Sequence, residues 1–281
     1  MSMMASGATD DVSLAAGTVA ARVFGPGRPV VVLFHSLLAD RTSFLRITDA
    51  LAADMTVVLP ELPGFGGSAA VVGGLPVVAD RMAEAVADAA SRFGDGSKPV
   101  VLGNGYGGFV ALQMVLRHPG VAGRLVVADA GAAFSEPGRE AFRGMSRGAA
   151  AKGLEAVADT AMRRLFAADF HAANPELVAE RRASFLSMNI DVFHQACADL
   201  AALDLRPQLA GLDLPVFVTV GSQDEATPPP MSHELAAGVA GARLMVLEGL
   251  AHVPQLQAPE LFVAAVLPFL TGSTVADTVT V

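Results

Sequence analysis

The chain has 281 residues, of which 52% are hydrophobic and 17% charged, which is enough apolar material for one large α/β domain or a core with an insert. Its formal net charge of −9 argues against nucleic-acid binding and against attraction to anionic membranes. The single cysteine, Cys197, leaves no partner for an internal disulfide. No secretory leader is visible and the apolar runs are only strand-length, so we expect a cytoplasmic protein without a membrane span.

The first half of the chain alternates between short apolar runs and helical patterns. The apolar runs predict strands buried on both faces at 30–34, 56–59, 99–102 and 125–128. Helical periods occupy 43–51, 77–93 and 109–117. This alternation predicts βαβ units and therefore an α/β fold, with a mostly parallel, doubly wound sheet covered by helices on both faces.

Beyond residue 131 the alternation stops and later resumes. Four helical patterns follow one another without a strand, at 138–147, 153–166, 175–187 and 190–202. Strands are again predicted at 215–220 and 243–247, with helices near 231–237 and from Pro259. We therefore predict an α/β core made of residues 12–131 and 207–271, an inserted helical lid at 132–206, and tails at 1–11 and 272–281.

The segment Gly103-Asn104-Gly105-Tyr106-Gly107-Gly108 joins a predicted strand to a predicted helix and allows two interpretations. It matches G-x-G-x-x-G, the dinucleotide-binding fingerprint, and Asp129 closes the next strand at about the distance of a ribose-binding acid. It also matches the nucleophile elbow G-x-S-x-G with glycine in place of the serine. The fingerprint normally belongs to the first βαβ unit, whereas two predicted strands precede this turn.

The loops after the other predicted strands favour the elbow. Strand 30–34 ends in His35-Ser36-Leu37, where the α/β-hydrolase fold places its oxyanion loop. An acid follows strand 215–220 in the segment 221–229, and a histidine follows strand 243–247 in the segment 249–252. Elbow, acid and histidine in this order are the arrangement that the fold requires.

On these motifs the chain resembles the α/β-hydrolase superfamily over residues 20–271, and most closely its 3-oxoadipate enol-lactonase branch. The resemblance is carried by His35-Ser36-Leu37, the Asp-x-Ala-Thr-Pro-Pro stretch at 224–229, and Asn174-Pro175-Glu176. It implies that His252 is a general base oriented by Asp224, with Asp129 as the alternative acid. It also implies an oxyanion hole made by the backbone N–H groups of Leu37 and Tyr106, and a pocket lined by His35, Ser36, Asn104, Phe166 and Phe193.

Gly105 stands at the nucleophile position and lacks the hydroxyl on which an acyl-enzyme depends. Glycine adopts the strained elbow conformation at little cost, so the turn itself is expected to persist. Ser36 and Tyr106 could each bring a hydroxyl to the site, although shaping a turn and packing against the lid are the simpler roles for them. Cys197 is expected to be a small core residue.

These observations predict an enzyme that acts on a small ester, lactone or dicarbonyl-type carboxylate, with His252 and Asp224 activating water or moving a proton on the substrate. The alternatives are a ligand-binding or sensor protein that keeps the pocket without turnover, and a serine hydrolase in which glycine replaced the nucleophile. We expect no cofactor, since no metal-ligand pattern occurs. The expected partner is a small molecule, with no nucleic acid and no membrane, and nothing in the sequence predicts an oligomeric state.

Overall fold

A computed structural model describes residues 11–273, so residues 1–10 and 274–281 of the predicted tails lie outside the described part of the chain. Eight strands form one sheet: β1 (Val12–Leu14), β2 (Val19–Phe24), β3 (Val30–Phe34), β4 (Thr56–Pro60), β5 (Val100–Asn104), β6 (Arg124–Ala128), β7 (Val216–Gly221) and β8 (Arg243–Leu247). The helices of the core are α1 (Leu45–Ala52), α2 (Leu75–Phe93), α3 (Tyr106–Arg117), α9 (Pro229–Gly238), α10 (Pro254–Gln257) and α11 (Pro259–Thr271). Those of the insert are α4 (Glu136–Lys152), α5 (Glu155–Leu165), α6 (Ala168–Ala173), α7 (Pro175–Leu186) and α8 (Ile190–Ala202).

The strand order across the sheet is β1-β2-β4-β3-β5-β6-β7-β8. The six strands β4, β3, β5, β6, β7 and β8 are parallel to one another. Strand β2 is antiparallel to both of its neighbours, β1 and β4. This is the predicted α/β-hydrolase architecture, a mostly parallel sheet with helices on both faces. The sequence analysis predicted no strand before residue 30, because β2 alternates between buried and half-buried residues and forms no continuous apolar run.

The central strands β3, β4, β5 and β7 are buried along their whole length because helices cover both faces of the sheet. One apolar cluster fills the side of α2, α3 and the insert, and a second fills the side of α1 and α11. In a parallel sheet the carboxyl ends of the strands meet at one edge, so the loops after β3, β5, β7 and β8 converge there.

Five helices, α4 to α8, lie between β6 and β7, one more than the sequence predicted. The additional helix, α6, has no buried residue and so leaves no apolar period in the sequence. The two ends of the insert are joined by a hydrogen bond from the Leu205 N–H to the Ala132 carbonyl at 2.8 Å and by a β-bridge between Ala133 and Asp204. The two ends of the insert therefore lie side by side, and the division into core and lid stays a prediction.

Among residues 11–273 no helix combines the length and the apolar character needed to cross a bilayer. Within the same range, no group of three or more His, Cys, Asp or Glu side chains is arranged to hold a metal ion.

Candidate active site

The glycine-rich turn connects β5 to α3 as a sharp elbow. Gly105 lies between them with φ 54° and ψ −121°, a left-handed region that glycine tolerates and other residues rarely adopt. Gly107 has a different reason to be glycine, since a Cβ there would lie 2.3 Å from the carbonyl oxygen of Phe34. Backbone geometry and packing against β3 therefore account for these glycines without a bound phosphate.

Asp224, in the loop after β7, and His252, in the loop after β8, form a buried hydrogen-bonded pair. The distance from His252 Nδ1 to Asp224 Oδ2 is 2.9 Å. The Asp224 carboxylate also accepts hydrogen bonds from the backbone N–H groups of Ala226 at 2.8 Å and Thr227 at 3.1 Å. Because an ionised carboxylate only accepts, Nδ1 carries the proton and Nε2 is left as the basic nitrogen.

Asp129 interacts electrostatically with Asp224, but among the described residues its carboxylate forms no hydrogen bond with the histidine. It accepts hydrogen bonds from the Gly221 N–H at 2.9 Å and from the Asn104 side-chain amide at 3.2 Å. Complete burial, together with the nearby negative charge of Asp224, raises the pKa of Asp129 well above its usual range. The structure thus places Asp224, not the alternative acid Asp129, against His252.

The basic nitrogen of His252 faces Ser36. Ser36 Oγ lies 3.1 Å from His252 Nε2, and the serine is buried at the start of the loop that follows β3. A Cβ built on Gly105 would lie 2.4 Å from Ser36 Oγ and 2.6 Å from His252 Nε2. The hydroxyl next to the histidine is therefore on the predicted oxyanion loop and not on the elbow.

Leu37 and Tyr106 each have a backbone N–H group without a hydrogen-bond partner in the described chain. Both residues are buried and line the same pocket as Gly105 and His252. Neither N–H donates a hydrogen bond to a backbone or side-chain acceptor within residues 11–273. Buried N–H groups are seldom left unpaired, so the two donors are available to a ligand oxygen.

Tyr106 and Cys197, which also carry groups that could act as nucleophiles, both have raised pKa values. Burial, with smaller contributions from Asp199 and Cys197, raises the pKa of the Tyr106 phenol far above its usual range. Burial likewise raises the pKa of the Cys197 thiol to about 12, so almost no thiolate exists at neutral pH.

The pocket in front of His252 is narrow, with a cavity volume of about 30 Å³. The core contributes the reactive floor, and the lid contributes an apolar roof that includes Phe142, Met145 and Leu200. Arg164, on α5, is the only arginine or lysine among the described residues that line this pocket. Its guanidinium contacts Met145 Sδ at 3.5 Å and forms no ion pair with a carboxylate of the described chain.

Four of the residues predicted to line the pocket do not line this one: His35, Asn104, Phe166 and Phe193. His35 instead fixes the loop after β3, since its Nδ1 donates to the Ser36 carbonyl at 3.0 Å and its Nε2 accepts from the Leu62 N–H at 3.0 Å. Asn104 donates to the backbone carbonyl of His252 at 2.9 Å and so holds the loop of the histidine. Position next to a catalytic motif suggested a lining role, but the side chains point into the scaffold.

Phe166 and Phe193 both pack within the lid, and Phe166 also lines a separate pocket that includes Asp224. Phe166 packs against Phe170 with ring centroids 5.2 Å apart, and Phe193 packs against Phe185 at 5.7 Å. Sequence reasoning missed Arg164, because the helical period of α5 does not show which face of the lid turns toward the core.

The fold, the elbow and the paired Asp224 and His252 together define an α/β hydrolase. The alpha/beta hydrolase family profile matches residues 31–265, and the chain belongs to that family. It is 28% identical over 160 residues to 3-oxoadipate enol-lactonase 2 of Acinetobacter baylyi, a match that covers 57% of this chain and 59% of that protein. It is 29% identical over 254 residues to a pimeloyl-(acyl-carrier protein) methyl ester esterase of Neisseria meningitidis, covering 86% of this chain and 93% of the relative.

A solved structure shows the same likeness in three dimensions. The enol-lactonase from Burkholderia xenovorans LB400 superposes with a TM-score of 0.82 at 25% identity, covering 93% of this chain and all of that one. These relatives bear hydrolase names, and the chain is an enzyme of the hydrolase class.

Proposed function

We propose that this enzyme hydrolyses a small ester or lactone, or a dicarbonyl-type compound, that carries a carboxylate, with His252 as the general base. The observation that carries the proposal is the hydrogen-bonded pair of Asp224 and His252, whose Nε2 faces the pocket beside two unpaired backbone N–H groups. Enol-lactonase and esterase names among the relatives support this substrate class.

In this proposal the two halves of the site have separate tasks. Asp224 holds the imidazole ring and stabilises the imidazolium that forms when Nε2 takes a proton. The N–H groups of Leu37 and Tyr106 stabilise the negative charge that develops on the substrate carbonyl oxygen. Because Gly105 has no hydroxyl, the proton comes from water, from the substrate or from a hydroxyl elsewhere in the site.

A general base at His252 is tested by His252→Ala, with His233→Ala as the matched control because His233 is an exposed residue of α9. We expect His252→Ala to lower kcat for small p-nitrophenyl esters by about 10³-fold or more, and the control to leave it unchanged. Wild-type turnover equal to that of His252→Ala would instead support a ligand-binding or sensor protein.

The carboxylate preference rests on Arg164, a cation without a carboxylate partner in the described chain, on an otherwise apolar roof. Arg164→Met should raise KM about tenfold or more for a p-nitrophenyl hemisuccinate, because a buried carboxylate loses its charge-assisted hydrogen bonds. The neutral butyrate ester should change little.

Arg163→Met is the matched control, since the neighbouring Arg163 is exposed and does not line this pocket. Equal effects of Arg164→Met on the charged and the neutral ester would contradict a carboxylate-binding role.

A further inference from the structure

The side chain of Ser36 occupies the space that a side chain on the elbow would need. A Cβ at Gly105 would lie 2.4 Å from Ser36 Oγ and 2.9 Å from Ser36 Cβ, both closer than real Cβ contacts. The Ser36 hydroxyl therefore lies in the space that the side chain of an elbow serine would need.

The hydroxyl of Ser36 completes a chain of three hydrogen-bonded groups. Ser36 Oγ is 3.1 Å from His252 Nε2, and His252 Nδ1 is 2.9 Å from Asp224 Oδ2. A nucleophile bonded to a base that a third group orients is the geometric signature of covalent catalysis. Since Nδ1 holds its proton toward Asp224, Nε2 accepts the hydrogen bond from the hydroxyl.

The backbone of Ser36 is held in place on two sides. Its carbonyl accepts hydrogen bonds from His35 Nδ1 at 3.0 Å and from the Ala39 N–H at 3.2 Å. These contacts leave the hydroxyl facing the pocket, and Ser36 is one of the residues on the pocket wall.

The oxyanion donors also suit a nucleophile on this loop. In the usual arrangement one N–H comes from the residue after the elbow nucleophile and the other from the loop after the third strand. Here Leu37 follows Ser36, and Tyr106 begins α3 on the elbow. The nucleophile would then lie on the loop after β3 instead of the elbow, and the same two N–H groups would contact the substrate oxygen.

We propose that Ser36 is the nucleophile of this hydrolase, an inference that rests on the proposed function because His252 activates it. Ser36 Oγ bonds to the carbonyl carbon while its proton passes to His252 Nε2, and the carbonyl oxygen becomes an oxyanion. The oxyanion collapses, the ester C–O bond breaks, and the leaving alkoxide takes the proton from Nε2. Water then attacks the acyl-Ser36 ester with His252 again as base, releasing the acid and restoring the Ser36 hydroxyl.

The test is covalent labelling of the purified full chain with a fluorophosphonate, followed by intact-mass measurement and peptide mapping. We expect one label per chain on Ser36, and a stoichiometric burst of p-nitrophenol in stopped flow. Ser36→Ala should abolish the label and the burst and lower kcat at least about 10²-fold. Ser36→Cys should again be labelled covalently, in this case by iodoacetamide, which alkylates the new thiol.

Ser43→Ala is the matched control, because Ser43 is buried nearby and its hydroxyl has no hydrogen-bond partner in residues 11–273. It should keep both the label and the burst. Circular dichroism and melting temperature verify that the variants fold.

The outcomes separate this inference from the proposed function. If His252→Ala removes turnover while Ser36→Ala retains it and the wild type resists labelling, water is the nucleophile and only the Ser36 inference is overturned. A label on another residue overturns it as well. A label on Ser36 in a protein without ester or lactone turnover would leave Ser36 as the reactive hydroxyl and overturn the proposed function.

Discussion

At the scale of single residues, Gly105 and Ser36 form a complementary pair. The glycine leaves open the space that the serine fills, and both positions face the same nitrogen of His252. A hydroxyl can thus approach this base from either loop, but the side chains cannot both occupy the space that Ser36 holds. The effect of a substitution at one of these two positions therefore depends on the side chain at the other.

We predict that Gly105→Ser alone lowers esterase activity, because the new Cβ would collide with Ser36 Oγ and with His252 Nε2. The double variant Ser36→Gly with Gly105→Ser removes the collision with Ser36, so that only the His252 ring has to shift, and it should regain a burst well above that of Ser36→Gly. A double-mutant cycle on burst amplitude and kcat measures the coupling. Additive effects would show that the two side chains do not compete for one space.

At the scale of elements, one cluster ties helix α7 of the lid to the loop after β3. Arg181 on α7 donates to Asp40 Oδ1 at 3.4 Å and to Thr42 Oγ1 at 3.0 Å, and the Ser184 hydroxyl also donates to Asp40. Asp40 in turn accepts from the Thr42 N–H at 2.7 Å, which caps the short 3₁₀ turn at 41–44. These hydrogen bonds link helix α7 to the loop after β3.

Burial raises the pKa of Asp40, but hydrogen bonds from Ser184 and Thr42 and the charge of Arg181 outweigh it, so the net pKa is lowered. Ionised Asp40 therefore stabilises the fold above the pKa of an unfolded aspartate, about 4, and this stabilisation is lost as pH falls through the lowered folded value. Asp40→Asn should cost about 1.5–3 kcal/mol at pH 7.

In urea denaturation, the wild type and Asp40→Asn should converge as the pH falls below about 4. Asp49→Asn, at an exposed carboxylate of α1 that forms no ion pair in the described chain, is the control and should stay close to the wild type. A difference between wild type and Asp40→Asn that is the same at pH 3 and pH 7 would contradict the ionic origin of the stabilisation.

At the scale of the whole molecule, much of the core could be predicted because buried parallel strands are continuous apolar runs and their order places each loop. That reasoning brought Gly105, Asp224 and His252 to one sheet edge. It could not show that Asn104 points into the scaffold or that Arg164 faces the pocket, since side-chain direction depends on how lid and core dock. The contact of Ser36 with His252 depends on a loop conformation, which the hydrophobic periodicity of the sequence does not reveal.

The two apolar clusters predict that stability and chemistry can be separated. Phe262 on α11 is fully buried on the side of the sheet away from the lid. Phe262→Ala should cost about 3–5 kcal/mol of unfolding free energy, from lost burial and the cavity left behind, while the folded fraction keeps its kcat. Val72→Ser, at a position 96% exposed, is the control and should change stability by less than about 0.5 kcal/mol. A lowered kcat in fully folded Phe262→Ala would show that this face does influence the site.

The joined ends of the insert have an evolutionary consequence. Because the Ala132 carbonyl and the Leu205 N–H bond to each other, 132–206 leaves and re-enters the core at nearly one point. A different helical segment can therefore replace residues 132–206 without changing the pairing of β6 with β7. The roof with Arg164 would be replaced, whereas Ser36 and His252 would stay in the core. If Arg164 selects the substrate and Ser36 and His252 cleave it, as proposed, the two properties can diversify independently, and chimaeras joined next to Ala132 and Leu205 are the starting point for changing specificity.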